Sequence, residues 1–158
     1  MIPVESQWRG YRIRRATLLD LRAVYRLEQK IFPRDAYPYL DLVLLFVLPG
    51  ITNHKLVGPD GTLAGFVSGT RPFFPPSRGW IITIGIAAAH QRQGLGRWLL
   101  AWIEQRIKTS TVRLTVREGN QPALHLYRQT GYTHIARKPG YYRDGEAGLV
   151  MEKIMPDG

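Results

Sequence analysis

Apolar residues recur along this chain in two periods, and the switches between them mark its elements. Tyr11-Arg12-Ile13-Arg14 alternates in strand fashion and leads to Thr17, placed to cap a helix. Leu21, Val24, Tyr25 and Ile31 then recur at helical spacing, and that helix should stop near Phe32-Pro33. A polar-aromatic elbow, Phe32-Pro33-Arg34-Asp35-Ala36-Tyr37-Pro38-Tyr39, separates it from a second helix, Leu40 to Leu48, ended by Pro49-Gly50. His54 to Val57 and Thr62 to Thr70 read as a hairpin around Gly58-Pro59-Asp60-Gly61, followed by a stiff loop carrying Pro72, Pro75 and Pro76. The run from Trp80 to Ala87 is rich in β-branched residues and predicts a buried strand. Leu95, Leu99, Trp102, Ile103 and Ile107 predict a third helix. Thr111 to Arg117 is a strand with Val112, Leu114 and Val116 on one face. Asn120-Gln121-Pro122 then opens a short helix carrying Ala123, Leu124 and Tyr127, which Gly131-Tyr132 ends. Two strands close the chain, at residues 132–138 and 147–155. The order β-α-α-β-β-β-α-β-α-β-β predicts one mixed α/β layer structure over residues 11–155, after a loose N-terminal arm at residues 1–10.

Composition narrows the class. The chain has 158 residues, 44% apolar and 22% charged, enough for one domain with a substantial core. Its longest apolar run, Leu42 to Leu48, is too short to span a bilayer, and Met1 to Gln7 contains no apolar leader. The absence of cysteine excludes disulfides, thiolate metal sites and a cysteine nucleophile, and fits a cytoplasmic address. His54, His90, His125 and His134 show no metal-ligand spacing, so no metal is expected. The net charge of +10 comes from 22 basic and 12 acidic residues, the basic ones scattered from Arg9 to Lys153. Such a spread favours anionic ligands or surroundings; a nucleic-acid module would gather its cations and exposed aromatics on one element, so no direct nucleic-acid contact is expected.

The most informative stretch is His90-Gln91-Arg92-Gln93-Gly94-Leu95-Gly96-Arg97, between the buried strand and the third helix. The first amides of a helix lack partners inside it, and the helix end carries about half a positive charge. Glycines at 94 and 96 let a phosphate approach that backbone without meeting a Cβ. The dinucleotide fingerprint fails because Leu99 stands at its third glycine, and the P-loop fails because no Gly-Lys-Ser/Thr follows. What remains is Gln-x-x-Gly-x-Gly after a strand. It resembles the coenzyme A pyrophosphate loop of the GNAT superfamily of N-acetyltransferases. The tail adds to the likeness: Asn120-Gln121-Pro122-Ala123 through Tyr127 and Gly131-Tyr132 looks like the family's N-x-x-A-x-x-x-Y-x-x-x-G-F segment. Gly140-Tyr141-Tyr142-Arg143-Asp144-Gly145-Glu146 resembles the tyrosine-rich turn of the protein N-terminal acetyltransferases, the RimI-type ribosomal-protein-alanine enzymes among them.

The resemblance, over residues 11–155, implies a single-domain GNAT fold of the α/β (α+β) class, a mixed, mostly antiparallel sheet of about seven strands with four helices. It implies acetyl-CoA as cofactor and direct attack by a primary amine, in a monomer or homodimer with no membrane contact. By the same resemblance Ile84, Gly85 and Ile86 hold the pantetheine and supply an oxyanion donor, Gly85 being read either as a point of close approach or as a plain β-bulge. Arg92, Gln93, Gly94, Leu95, Gly96 and Arg97 offer mainly amides to the pyrophosphate, and Asn120 touches the cofactor or simply caps its helix. Tyr127 looks like the family's general acid, with a buried core tyrosine as the competing reading. Tyr37, Tyr141 and Tyr142, with Tyr39, are expected to contact a peptide acceptor.

One departure matters. RimI-type enzymes carry a glutamate base where this chain has Thr115, and the histidine–tyrosine pair of some eukaryotic relatives is replaced by Thr115 and Trp80. Asp35 on the elbow is the nearest substitute by sequence logic, and it equally fits a helix cap. A strong base is also dispensable if the acceptor is an α-amine, whose pKa near ~7.8 leaves it appreciably neutral at pH 7, unlike lysine near ~10.4. The expected acceptor is therefore a protein or peptide N-terminus, a ribosomal protein being one candidate. The alternatives are a small-amine acetyltransferase of polyamine or aminoglycoside type, and a catalytically weak acyl-CoA-binding module.

Overall fold

The computed structural model describes residues 4–71 and 77–156. The expected proline loop at Pro72, Pro75 and Pro76 lies outside them. The elements are β1 (Gln7–Trp8), β2 (Tyr11–Arg15), α1 (Leu21–Ile31), α2 (Tyr39–Val47), β3 (Ile51–Val57), β4 (Leu63–Thr70), β5 (Arg78–Ile86), α3 (Leu95–Ile107), β6 (Thr111–Arg117), α4 (Gln121–Gln129), β7 (Thr133–Lys138) and β8 (Gly148–Ile154). Every element read from the periodicity is present, and β1 is an addition. The sheet therefore has eight strands where about seven were expected, in the order β1-β2-β3-β4-β5-β6-β8-β7. All its pairings are antiparallel except that of β5 with β6.

The two faces of the sheet are covered differently. On one, the buried stripe of α3 (Leu95, Leu99, Ile103 and Ile107) packs with Leu124 and Tyr127 of α4 on Val67, Ile81, Val112 and Leu114. On the other, α1 seals Val24 and Leu27 against Phe66, and α2 seals Leu42 and Leu45 beside Leu21. Strand alternation divides the residues between these faces, so Leu114 and Val116 join the α3 side. Thr115 and Arg117 are left to the α1–α2 side.

The N-terminal arm is not loose where it is described. The Val4 amide donates to Gln105 Oε1 at 2.9 Å, and Trp98 Nε1 donates to the Glu5 carbonyl at 3.0 Å. Trp8 meets Trp98 edge-on, ring centres 5.7 Å apart. Trp98 lies off the apolar stripe of α3, and the arm covers it, which the helical periodicity alone gave no reason to expect.

Candidate active site

The site is set by a defect in the sheet. Strands β5 and β6 pair only over Arg78–Trp80 and Thr111–Arg113. Beyond that point both continue, each bonded to its outer neighbour alone: β5 to β4 through Ile86, and β6 to β8 through Arg117. A wedge opens between Ile81–Ile86 and Leu114–Arg117, at the C-terminal ends of two parallel strands, where α/β sheets commonly bind ligands. A register shift between Ser68 and Gly69 leaves Ile82 as the extra residue of a β-bulge, which bends β5 away. The bulge is thus three residues before Gly85. The missing Cβ of Gly85 serves another contact: one built there would lie 3.0 Å from Ile31 and 3.2 Å from Phe32, so the end of α1 rests on this glycine.

The loop above the wedge is braced from within. Gln91 Nε2 donates to the Ile86 carbonyl at 2.9 Å, and Gln93 Nε2 donates to the His90 carbonyl at 3.2 Å and to the Tyr11 hydroxyl at 3.3 Å. Gln93 is therefore a strut by its side chain. Gly94 caps α3 in the left-handed region (φ +83°), where other side chains are strained. The first bond of the helix runs from the Trp98 amide to the Gly94 carbonyl, and no side chain caps this end. The amides of Leu95, Gly96 and Arg97 point outward without helical partners. At Gly96 an added Cβ would make only ordinary contacts, 3.6 Å to Leu126 and 3.9 Å to Ile86. The fold itself does not require glycine there, whereas close approach of a ligand to the backbone would. The Arg97 guanidinium bonds Gln129 Oε1 at 3.1 Å, so its amide is what it offers, while Arg92 is exposed at positive φ.

Tyr127 comes from α4, whose N-cap Asn120 accepts the Ala123 amide at 3.3 Å. The Tyr127 ring is buried edge-on against Tyr132, with centres 5.7 Å apart. Its hydroxyl has no hydrogen-bond partner among the described residues, yet it is not one of the fully enclosed orphan atoms. That is not the state of a satisfied core tyrosine. Burial pushes its pKa up to about 12, because the phenolate would lose its hydration. The proton is held firmly at neutral pH.

The α1–α2 side of the wedge carries a charge cluster. Arg117, buried at the end of β6, donates through Nε and Nη2 to both Asp35 oxygens at 2.5 and 2.6 Å. Its Nη1 reaches Asp144 at 2.9 Å and Glu146 at 2.8 Å, in the turn between β7 and β8. The guanidinium also lies 4.3 Å from the centre of the Tyr142 ring. Asp144 is held below the usual carboxylate range by the Glu146 amide and by Arg117, and Glu146 by the Gly119 amide and by Arg117. One arginine thus ties the elbow to the tyrosine turn. Asp35 is committed to that tie through both oxygens.

The other expected residues line the same side. The Tyr37 hydroxyl donates to the Ile82 carbonyl at 3.4 Å, at the bulge, and burial raises its pKa to about 12. Tyr141 is half exposed and stands edge-on to Tyr142 at 5.0 Å. A Cβ built on Gly148 would lie 2.9 Å from both Thr115 and Tyr141, so Thr115 sits under the tyrosine turn. Three acids and a cation escaped the sequence reading as site residues: Arg117, its partners Asp144 and Glu146 in the turn, and Glu28. The signal for Glu28 was present, since it falls on the same stripe as Leu21, Val24 and Ile31. The signal for Arg117 was not, because its partners are far away in the chain. Among the described residues no group of three or more potential ligands could hold a metal ion, and no helix is long and apolar enough to cross a membrane.

A splayed parallel pair beneath a helix N-terminus fits an acyltransferase of the N-acetyltransferase kind, and the sequence relatives show that class. The chain belongs to the acetyltransferase (GNAT) family, whose model matches residues 21–132. It is 33% identical to the N-alpha-acetyltransferase RimI of Mycobacterium tuberculosis, over 89% of this chain and 90% of that one. An N-alpha-acetyltransferase of Sulfurisphaera tokodaii is 25% identical over 89% of this chain and 91% of its own length. The crystal structure of the ribosomal-protein-S18-alanine N-acetyltransferase of Escherichia coli superposes with a TM-score of 0.83 at 24% identity, covering 94% of this chain and 96% of that one.

Proposed function

We propose that the chain moves the acetyl group of acetyl-CoA to the N-terminal α-amine of a protein or peptide. The observation that carries the choice of acceptor is the Arg117 cluster. It draws Asp35, Asp144 and Glu146 into ion pairs, with Arg34 also on Asp144, so two cations already occupy the three carboxylates that a polyamine or aminoglycoside would need for its own. What the two acceptor loops then present is aromatic: Tyr37, Tyr141 and Tyr142. Such a surface suits a peptide backbone. The names of the mycobacterial and archaeal relatives support the same reading.

The residues fit the cofactor. The outward amides of Leu95, Gly96 and Arg97, with Arg92, Gln93 and Gly94 shaping the loop, would hold the pyrophosphate. The unpaired edge of Ile84, Gly85 and Ile86 would hold the pantetheine, and the free Asn120 amide group stands at the next helix start. Bound there, acetyl-CoA supplies the activated thioester. A backbone N–H of the splayed strand then stabilises negative charge on the carbonyl oxygen, an interaction whose loss typically costs ~10²–10³ in rate. Tyr127 holds a proton on Oη for the departing sulfur. Asp35 keeps the elbow closed through Arg117.

The test is an acetyl-transfer screen of short peptides with varied first residues, alanine included, beside spermidine and an aminoglycoside. Transfer to peptide N-termini is expected. Faster transfer to the small amines would reassign the acceptor, and binding without transfer would leave an acyl-CoA-binding module.

A further inference from the structure

Glu28 is buried in the middle of α1, on the face turned to the sheet, with 3% of its surface exposed. Its Oε1 accepts a hydrogen bond from Thr83 Oγ1 at 2.7 Å. Its Oε2 is fully enclosed and has no hydrogen-bond partner among the described residues. The other buried glutamate, Glu104, shows what a structural carboxylate requires: Oε1 takes the Tyr132 hydroxyl at 2.8 Å and Oε2 takes Lys153 at 2.9 Å. A carboxylate left half-satisfied in an apolar layer costs stability without return, unless it has another use.

Its position suggests the use. Thr83 follows the bulged Ile82 and immediately precedes Ile84, on the β5 wall of the wedge. Thr115 occupies the β6 wall on the same face of the sheet, under the tyrosine turn. α1 thus brings a carboxylate to the wall opposite Thr115, bonded to β5 through the Thr83 hydroxyl. The Ser68 hydroxyl, directly across the strand pair from Thr83, is also enclosed and unpartnered, so the polar groups here form a cluster. No cation faces Glu28 among the described residues. Its charged form is opposed by burial and favoured by Thr83 and the Tyr37 amide, and burial prevails, raising its pKa above the ordinary glutamate value.

Resting on the N-acetyl-transfer reading, but not on which amine is acetylated, we propose that Glu28 accepts the acceptor amine's proton through the Thr83 hydroxyl. The ammonium N–H bond breaks as its proton passes to Thr83 Oγ1. The Thr83 O–H bond breaks as its own proton passes to Glu28 Oε1. The ammonium becomes a free amine, the carboxylate becomes the neutral acid, and the proton later leaves to solvent. Thr83 is the group that meets the substrate, and Glu28 acts through it.

Two nearly isosteric variants test this. Glu28→Gln keeps an oxygen for Thr83 but cannot take a proton, and Thr83→Val removes the hydroxyl alone. Each is assayed for kcat/KM against pH, with whichever amine the wild type acetylates, and for KM of acetyl-CoA. Both variants should lose ~10-fold or more at pH 7 with the acetyl-CoA KM unchanged. The acidic limb of the profile should then follow the acceptor amine alone, and the double variant should be no worse than the poorer single. A Glu28→Gln profile superimposable on the wild type overturns the proposal and leaves the acetyl-transfer reading intact. Additive losses, or losses matched by weaker acetyl-CoA binding, overturn it as well. A wild type inert towards every amine overturns both readings.

Discussion

Tyr127 and Tyr132 pack on one another, yet their hydroxyls have opposite surroundings, and this contrast yields the most decisive experiment. Tyr132 donates to Glu104 Oε1 at 2.8 Å inside the core. Tyr127 donates to no described residue. Tyr132→Phe removes a buried hydrogen bond to a carboxylate, which should cost about 1.5–3 kcal/mol of stability. Lys153 still holds the other oxygen of Glu104, so the fold should survive. Tyr127→Phe removes an oxygen with no protein partner, so stability should change by less than about 0.5 kcal/mol. Activity should show the reverse. Loss of a positioned proton donor lowers kcat by ~10²–10⁴, or about 3–5 kcal/mol on the barrier, while Tyr132→Phe should leave kcat close to wild type. The assay pairs urea unfolding with single-turnover acetyl transfer, so that chemistry and not product release is measured. Because burial holds the Tyr127 proton to about pH 12, its ionisation should add no alkaline limb below pH ~10. The argument fails if Tyr127→Phe transfers acetyl at the wild-type single-turnover rate. It fails equally if Tyr127→Phe destabilises the fold as much as Tyr132→Phe does.

Three further outcomes are expected. Gly96→Ala should leave the melting temperature unchanged or higher, since its Cβ meets nothing closer than 3.6 Å, while calorimetric titration shows clearly weaker coenzyme A binding; equal affinity would remove the loop from the cofactor site. Asp35→Asn and Arg117→Gln should each raise the acceptor KM with little change in that for acetyl-CoA, and the double variant should be no worse than Arg117→Gln; a kcat loss confined to Asp35→Asn would make Asp35 the base after all. His54 is buried against Trp102 and its pKa is lowered from 6.5 to about 4, by burial first and then by Arg106 and Arg15. The unfolded chain therefore binds the extra proton between those values, so stability is full above pH 6.5 and falls by about 3 kcal/mol as pH drops towards 4. His54→Phe should flatten that slope in urea melts, and an unchanged slope would assign it to other groups.

What could be read in advance depended on how far each signal reaches along the chain. The helices and strands were legible because their evidence is periodic and local: the α3 stripe of Leu95, Leu99, Ile103 and Ile107 needs only its own turn spacing. The Asn120 cap was legible for the same reason. The wedge was not, since the run from Ile81 to Ile86 reads as an ordinary buried strand. Only its pairing with β4, shifted by one residue at Ile82, shows where it leaves β6. Asp35 shows the limit most clearly. From its neighbours it could be a helix cap or a base, and its surroundings are decided by Arg117, 82 residues further on. Glu28 marks the boundary between the two cases. Its place on an apolar stripe is local, and a glutamate there already conflicts with the rule that buried carboxylates are paired. Sequence could register that conflict. Only the fold could show that Thr83 meets one oxygen, that the Tyr37 amide is the other donor acting on the carboxylate, and that Oε2 has no close hydrogen bond among the described residues. A residue that breaks its own element's pattern is therefore worth following into the structure even when no motif contains it. Keeping it there opposes stability, and the proton transfer proposed through Thr83 on the wedge wall is a role that would account for it.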